Sequence, residues 1–186
     1  MLHIDPPIYL FAALLLLTVP LPWLIAAFFA AAVHEMAHLA MILITGGSIQ
    51  RISISITGAR IHAFFPSNAS EFVSSLAGPA GSLLLLLTSP IFPRLSLCGM
   101  IQGLFNLIPI YPLDGGRMLK SILTALFPAA AAKSSRMIDY ILTLFFLAAS
   151  VFAAVFASAG PIPVVIFSLF LYNRKKTCKQ TGIGIQ

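Results

Sequence analysis

Residues 23–45 read Trp-Leu-Ile-Ala-Ala-Phe-Phe-Ala-Ala-Ala-Val-His-Glu-Met-Ala-His-Leu-Ala-Met-Ile-Leu-Ile-Thr. A helix that crosses a bilayer needs about 20 apolar residues, and this run supplies them. Yet its middle carries His34, Glu35 and His38. Ionisable groups at that depth cost roughly 2.5–3.5 kcal/mol each on insertion scales, so they ask for a functional reason. His34 and His38 are one helical turn apart and project from one face, with Cβ atoms about 6 Å apart. Two neutral imidazoles at that spacing can share a Zn²⁺, and Glu35 beside them can take a proton from a water molecule that the metal activates. A bare H-E-x-x-H pattern also arises by chance in soluble helices. Three polar groups in the centre of an Ala/Leu/Ile/Phe helix are a rarer event. The competing reading is two buried histidines hydrogen-bonded to a neighbouring helix.

The rest of the chain agrees with a membrane setting. Its 186 residues are 59% hydrophobic and 9% charged, with five Asp and Glu in all, and the mean hydropathy is +1.00. Soluble domains carry about 25% charged residues. These figures exclude a soluble globular enzyme, a disordered tail and a nucleic-acid module. Cys98 and Cys178 lie far apart and imply neither a disulfide framework nor a cysteine-rich metal site. The expectation is an all-α polytopic membrane protein, a single membrane-embedded domain over residues 1–186.

About six membrane segments are expected, at residues 7–19, 23–45, 71–91, 95–127, 137–158 and 162–172. The fourth is too long for one span and is broken near residues 106–116. Net charge is +6, and here the placement of Lys and Arg reports orientation before it reports a partner. Arg174, Lys175, Lys176 and Lys179 put the C-terminus in the cytoplasm, and six crossings then put the N-terminus there too. Arg51, Arg60, Lys133 and Arg136 also fall inside, leaving Arg94 outside. The N-terminus lacks the positively charged start of a secretory signal, and cleavage after Ala30-Ala31-Ala32 would strand His34 and Glu35. Between the second and third segments, Ile52, Ile54 and Ile56 alternate with Ser53 and Ser55, and Thr57-Gly58-Ala59 can turn. That is the period-two pattern of a β-hairpin over residues 48–65. A plain connector on the cytoplasmic surface is the alternative.

A catalytic zinc usually has three protein ligands and an open position. Asp5 precedes the first segment, while Glu71 and Asp139 stand at segment entrances where ordinary solvation suffices. Asp114 alone lies inside a long hydrophobic stretch, in Asn106-Leu-Ile-Pro-Ile-Tyr-Pro-Leu-Asp-Gly-Gly-Arg117. Broken backbone at membrane depth survives only where protein or a wet cavity covers it. Asp114 is therefore the expected third ligand. An Asp114–Arg117 ion pair at i,i+3 would explain the charges without the histidines, and the two readings coexist if Arg117 supports the ligand from outside. Asn106 is a candidate for substrate binding or for holding an oxyanion, or else makes a helix–helix hydrogen bond.

His34-Glu35-x-x-His38 on a membrane helix, followed by Asn106-x-x-Pro109-x-x-Pro112-Leu113-Asp114-Gly115 on a broken one, resembles the site-2 protease family of intramembrane zinc metalloproteases (peptidase family M50). The likeness is nearest to its stage IV sporulation protein FB branch. Ala77-Gly78-Pro79 in the third segment adds to it. The resemblance covers essentially the whole chain, but only the two zinc motifs are specific. It implies His34, His38 and Asp114 as ligands of one Zn²⁺, Glu35 as general base, and Asn106 near the scissile bond. It also implies a membrane-anchored protein substrate cut in or beside its membrane segment, with release of a soluble product such as a transcription factor. The hairpin would help to hold that substrate as an extended strand, and His62 within it is read as an ordinary hairpin residue. A regulatory membrane protein is a candidate further partner. Ser82 departs from the Asn common near this position. The sequence also ends at Gln186 without room for the nucleotide-sensing domain of the sporulation branch. A metal transporter using the same three ligands is the second reading, although no internal repeat supports it. A catalytically inactive scaffold is the third.

Overall fold

Pro20-Leu21-Pro22 does more than interrupt the apolar run. Pro22 falls in the first turn of α1 (Leu21–Ile44), where a missing N–H costs no helical bond. The computed structural model describes residues 2–4, 16–55, 58–156 and 168. At its far end α1 closes on Thr45, whose Oγ1 donates to the Met41 carbonyl at 2.8 Å, and Gly46 then turns the chain at φ 76°.

The alternating segment is a hairpin. Strand β2 (Ser48–Ser55) pairs antiparallel with β3 (Gly58–Phe64), from Ser48 opposite Phe64 to Ser55 opposite Gly58, with a register shift between Ile49 and Arg51. The expected turn at Thr57-Gly58-Ala59 is displaced, because Gly58 and Ala59 already belong to β3; residues 56–57 lie outside the described residues. A short strand β1 (Leu2–Ile4), which the sequence reading did not anticipate, adds in parallel to β2 and makes a three-stranded sheet in the order β1-β2-β3.

Helix α2 (Asn68–Leu84) starts at a reciprocal cap. Ser67 Oγ accepts from the Ser70 N–H at 3.1 Å, and Ser70 Oγ accepts from the Ser67 N–H at 3.2 Å. Two of the orphan donors of the helix start are satisfied that way. Pro79 lies inside α2 and has no N–H to give, which leaves the Ser75 carbonyl without its ladder donor. A 3₁₀ turn (Leu85–Thr88) extends the helix. The long fourth segment is two helices, α3 (Pro93–Asn106, 14 residues) and α4 (Asp114–Leu126, 13 residues), joined by irregular chain at 107–113. At 1.5 Å per residue each is about 20 Å long, short of a hydrocarbon core of about 30 Å.

Met1–Ala131 form one compact unit and Ala132–Gln186 a second. In the first, α1 packs on α2 and α3, and α2 also packs on α3 and α4. Its interior is small and polar: Ala26, Ala30, His34 and His38 from α1, and Ser74, Ser75, Gly78, Pro79 and Ser82 from α2 are all buried. Many large apolar side chains point outward, with Phe28 70% and Leu87 79% exposed, while Ile42 and Ile110 are fully buried. Small residues between helices and bulky ones outside suit packing in lipid, where apolar surface has nothing to gain by turning inward. In the second unit, α5 (Ala131–Phe156) carries Asp139, Thr143 and Ser150 buried along one face. Thr143 and Ser150 donate to the carbonyls of Asp139 and Phe146, both at 2.6 Å. Asp139 is thus not the solvated entrance residue expected, being only 9% exposed.

Leu21–Ile44, Asn68–Thr88 and Ser134–Phe152 are long and apolar enough to cross a bilayer, three such helices among the described residues. This is a mostly helical membrane protein with a small sheet. The expected segments 7–19 and 162–172 lie outside the described residues, except for 16–19 and 168.

Candidate metal centre

His34 and His38 stand on the buried face of α1, ten and six residues from its C-terminal end respectively. At 1.5 Å per residue that is roughly 9–15 Å below the end carrying the sheet. Their rings sit edge to face, with centroids 4.7 Å apart and planes at 84°. Asp114 comes from the first turn of α4, where the helix dipole favours a carboxylate. Its Oδ2 lies 3.0 Å from His34 Nε2 and 3.1 Å from His38 Nε2, and the two Nε2 atoms are 3.2 Å apart. Exposures of 3%, 5% and 7% place all three in the interior.

The far side of each of the three side chains is also held. His38 Nδ1–H donates to the Ser74 carbonyl at 2.7 Å, which leaves Nε2 of the neutral ring with its lone pair facing the centre. His34 Nδ1 is 2.8 Å from Ser82 Oγ. Asp114 Oδ1 faces Arg117 Nη1 at 4.0 Å, so the carboxylate presents one oxygen to the imidazoles and one to a guanidinium. Lone pairs brought together this closely repel one another unless a proton or cation lies among them. The donor set fits a single tetrahedral zinc, whose ligand atoms at about 2.0–2.1 Å would stand about 3.3 Å from one another. Among the described residues these three are the His, Cys, Asp and Glu side chains placed to hold a metal together.

Two glycines make the convergence sterically possible. A Cβ on Gly78 would strike the His38 ring, falling against Nε2 and within 2.5 Å of Cε1. A Cβ on Gly115 would meet the carbonyl oxygens of Leu107 and Ile108, so glycine there lets the start of α4 fold back on the irregular chain before it.

The structure brings His34, His38, Asp114 and Arg117 together as the sequence suggested. Glu35, half-buried on α1, lies within electrostatic reach of all four. Asn106 closes α3 and donates through Nδ2 to the Gln102 carbonyl at 3.0 Å. That bond uses one of its two N–H groups within its own helix. His62 is exposed on β3 opposite Arg51, outside the metal centre. Sequence reading missed the ring partners Ser74 and Ser82. The unusual Ser82 was the available signal for one of them; a backbone carbonyl such as that of Ser74 leaves none.

Residues 71–152 match Peptidase family M50. The chain is 32% identical to a zinc metalloprotease of Methanocaldococcus jannaschii over 54% of its own length and 34% of that protein's. It is 27% identical to stage IV sporulation protein FB of Bacillus subtilis over 63% and 46% of the two lengths. It thus spans about a third to a half of the length of the curated relatives it matches. Its fold is similar to the solved site-2 protease from Methanocaldococcus jannaschii, with a TM-score of 0.66 and 26% identity over 89% of this chain and 82% of the other. The resemblance carried by the two motifs is borne out.

Proposed function

We propose that this chain is an intramembrane zinc metalloprotease. It hydrolyses a peptide bond in or next to the membrane segment of a membrane-anchored protein. The observation that supports this most is the triangle of His34 Nε2, His38 Nε2 and Asp114 Oδ2, with sides of 3.0–3.2 Å. Its similarity to zinc metalloproteases and to a site-2 protease points to the same chemistry.

His34, His38 and Asp114 would hold the Zn²⁺, with Arg117 steadying Asp114 from its other oxygen. A zinc ion bound there supplies Lewis acidity, lowering the pKa of water towards about 7 and polarising the scissile carbonyl. Glu35 is the general base. It takes the proton of the attacking water and returns it to the leaving amine, a role worth roughly 10²–10⁴-fold. Glu35 neighbours His34 in sequence and lies within electrostatic reach of the centre, and the three-ligand triangle does not need its carboxylate. Asn106 has one N–H left over from its bond to Gln102, and we assign it to the substrate backbone beside the scissile bond or to the developing oxyanion.

A helical substrate hides its peptide bonds in its own ladder and must unwind to be cut. In the order β1-β2-β3 the strand β3 has a free side among the described strands, and an added strand there satisfies the freed backbone. The six-segment arrangement with both termini in the cytoplasm belongs to this reading. It places the hairpin on the cytoplasmic side, consistent with release of a soluble product such as a transcription factor in regulated intramembrane proteolysis. Control by a partner membrane protein belongs to it as well.

The test is Glu35→Gln in the full chain, with a membrane-anchored reporter. The variant keeps about one zinc per chain while cleavage falls at least about 100-fold. Undiminished cleavage would overturn the mechanism. Zinc uptake into vesicles without cleavage would favour the transporter.

A further inference from the structure

Arg117 is held by more than Asp114. Its guanidinium carbon lies 5.7 Å from the centre of the Phe65 ring, close enough for a cation–π contact. Phe65 is the first residue after β3 and stands two residues before the Ser67 cap of α2. The Ser48–Phe64 pairing fixes the chain on one side of it, and the reciprocal Ser67–Ser70 hydrogen bonds fix it on the other. The ring therefore has little freedom to leave.

Apart from that ring, Arg117 is held electrostatically, by Asp114 and by the nearby Glu35. Its side chain is 21% exposed, and Nη1 stands 4.0 Å from Asp114 Oδ1, too far for a direct hydrogen bond. A long cationic side chain with partial access to the outside tends to extend its head towards water. An ion pair at 4.0 Å, unsupported by a hydrogen bond, holds it weakly.

We infer that Phe65 is a positioning residue for the metal centre: its ring clamps the Arg117 guanidinium beside Asp114 Oδ1, so that Oδ2 is the oxygen turned to His34 and His38. A carboxylate free to rotate can offer either oxygen, or both, to the centre. With a fixed positive charge on the Oδ1 side it offers one. The clamp also ties the end of the hairpin to a ligand on α4, two elements with no other described link through side chains at this point. The inference rests on the zinc reading, and its test separates the two.

The full chain is purified in detergent as wild type, Phe65→Leu and Phe65→Tyr, each loaded with zinc or with cobalt(II) as a coloured substitute. Leu keeps apolar volume and loses the π face; Tyr keeps the face. Metal release to a chelator and the cobalt absorption band are measured. Phe65→Leu is expected to release zinc about 3–10-fold faster and to shift the cobalt band, while Phe65→Tyr behaves as wild type. Wild-type release and an unshifted band in Phe65→Leu would overturn the clamp, as would a Phe65→Tyr variant as defective as Phe65→Leu. A wild-type chain that takes up neither metal would instead overturn the zinc reading, and the clamp with it.

Discussion

The ring of His38 fills the space that a side chain at Gly78 would need. A Cβ at that position would lie against Nε2, 2.5 Å from Cε1 and 2.7 Å from Cδ2. Gly78 is on α2 and His38 on α1, so the glycine sets how closely the two helices approach at the level of the His34, His38 and Asp114 cluster. The same approach brings the Ser74 carbonyl to 2.7 Å from His38 Nδ1.

Gly78→Ala should therefore strip the centre of its metal. The added methyl must push the His38 ring aside or part α1 from α2, and overpacking of this kind costs about 1–3 kcal/mol. Zinc per chain, measured on the purified membrane protein, should fall well below the wild-type value, with a lower melting temperature. Full zinc occupancy in this variant would show that the ring can move without loss.

Ser82 and Ser75 lie two turns apart on α2, both buried, and predict opposite results. Ser82 Oγ is 2.8 Å from His34 Nδ1, whereas Ser75 Oγ has no hydrogen-bond partner among the described residues. Ser82→Ala should weaken zinc binding about 10–100-fold, the usual cost of losing a ligand's outer partner. Ser75→Ala removes an unsatisfied buried hydroxyl and should leave stability unchanged or raised. Chelator competition checks the first and thermal unfolding the second. Equal zinc affinity for Ser82→Ala and wild type would remove Ser82 from the orientation of His34.

Metal removal should loosen the fold as well as stop the reaction. His38 and His34 on α1 meet Asp114 on α4 across 76 and 80 residues of chain, and a metal that binds only the folded state stabilises it by about 2.7 kcal/mol at 100 times its dissociation constant. A strong chelator should lower the melting temperature by several degrees, and zinc should restore it. A melting temperature indifferent to chelation would argue against the bridge.

What could be read in the sequence was whatever is local or rare. His34 and His38 are one turn apart on a single helix, so their shared face follows from helical geometry. Asp114 stood out because carboxylates are scarce and it alone sits deep in an apolar stretch. Ile52, Ile54 and Ile56 announced the hairpin through their alternation. Long-range geometry was another matter. Strand β1 has three residues, too few for any pattern, and pairs with β2 some fifty positions away. Asp139 looked like an entrance residue until α5 was found to extend outward past it to Ala131. The Phe65 ring beside Arg117 is legible only when the end of the hairpin and the start of α4 are placed in space.

X-ray absorption at the zinc edge of the full chain in detergent tests the centre most directly. The spectrum should show only nitrogen and oxygen neighbours at about 2.0–2.1 Å, with two imidazole signatures in the wild type and one in His38→Ala. A sulfur neighbour, or a spectrum that neither His38→Ala nor Asp114→Ala alters, would place the metal elsewhere.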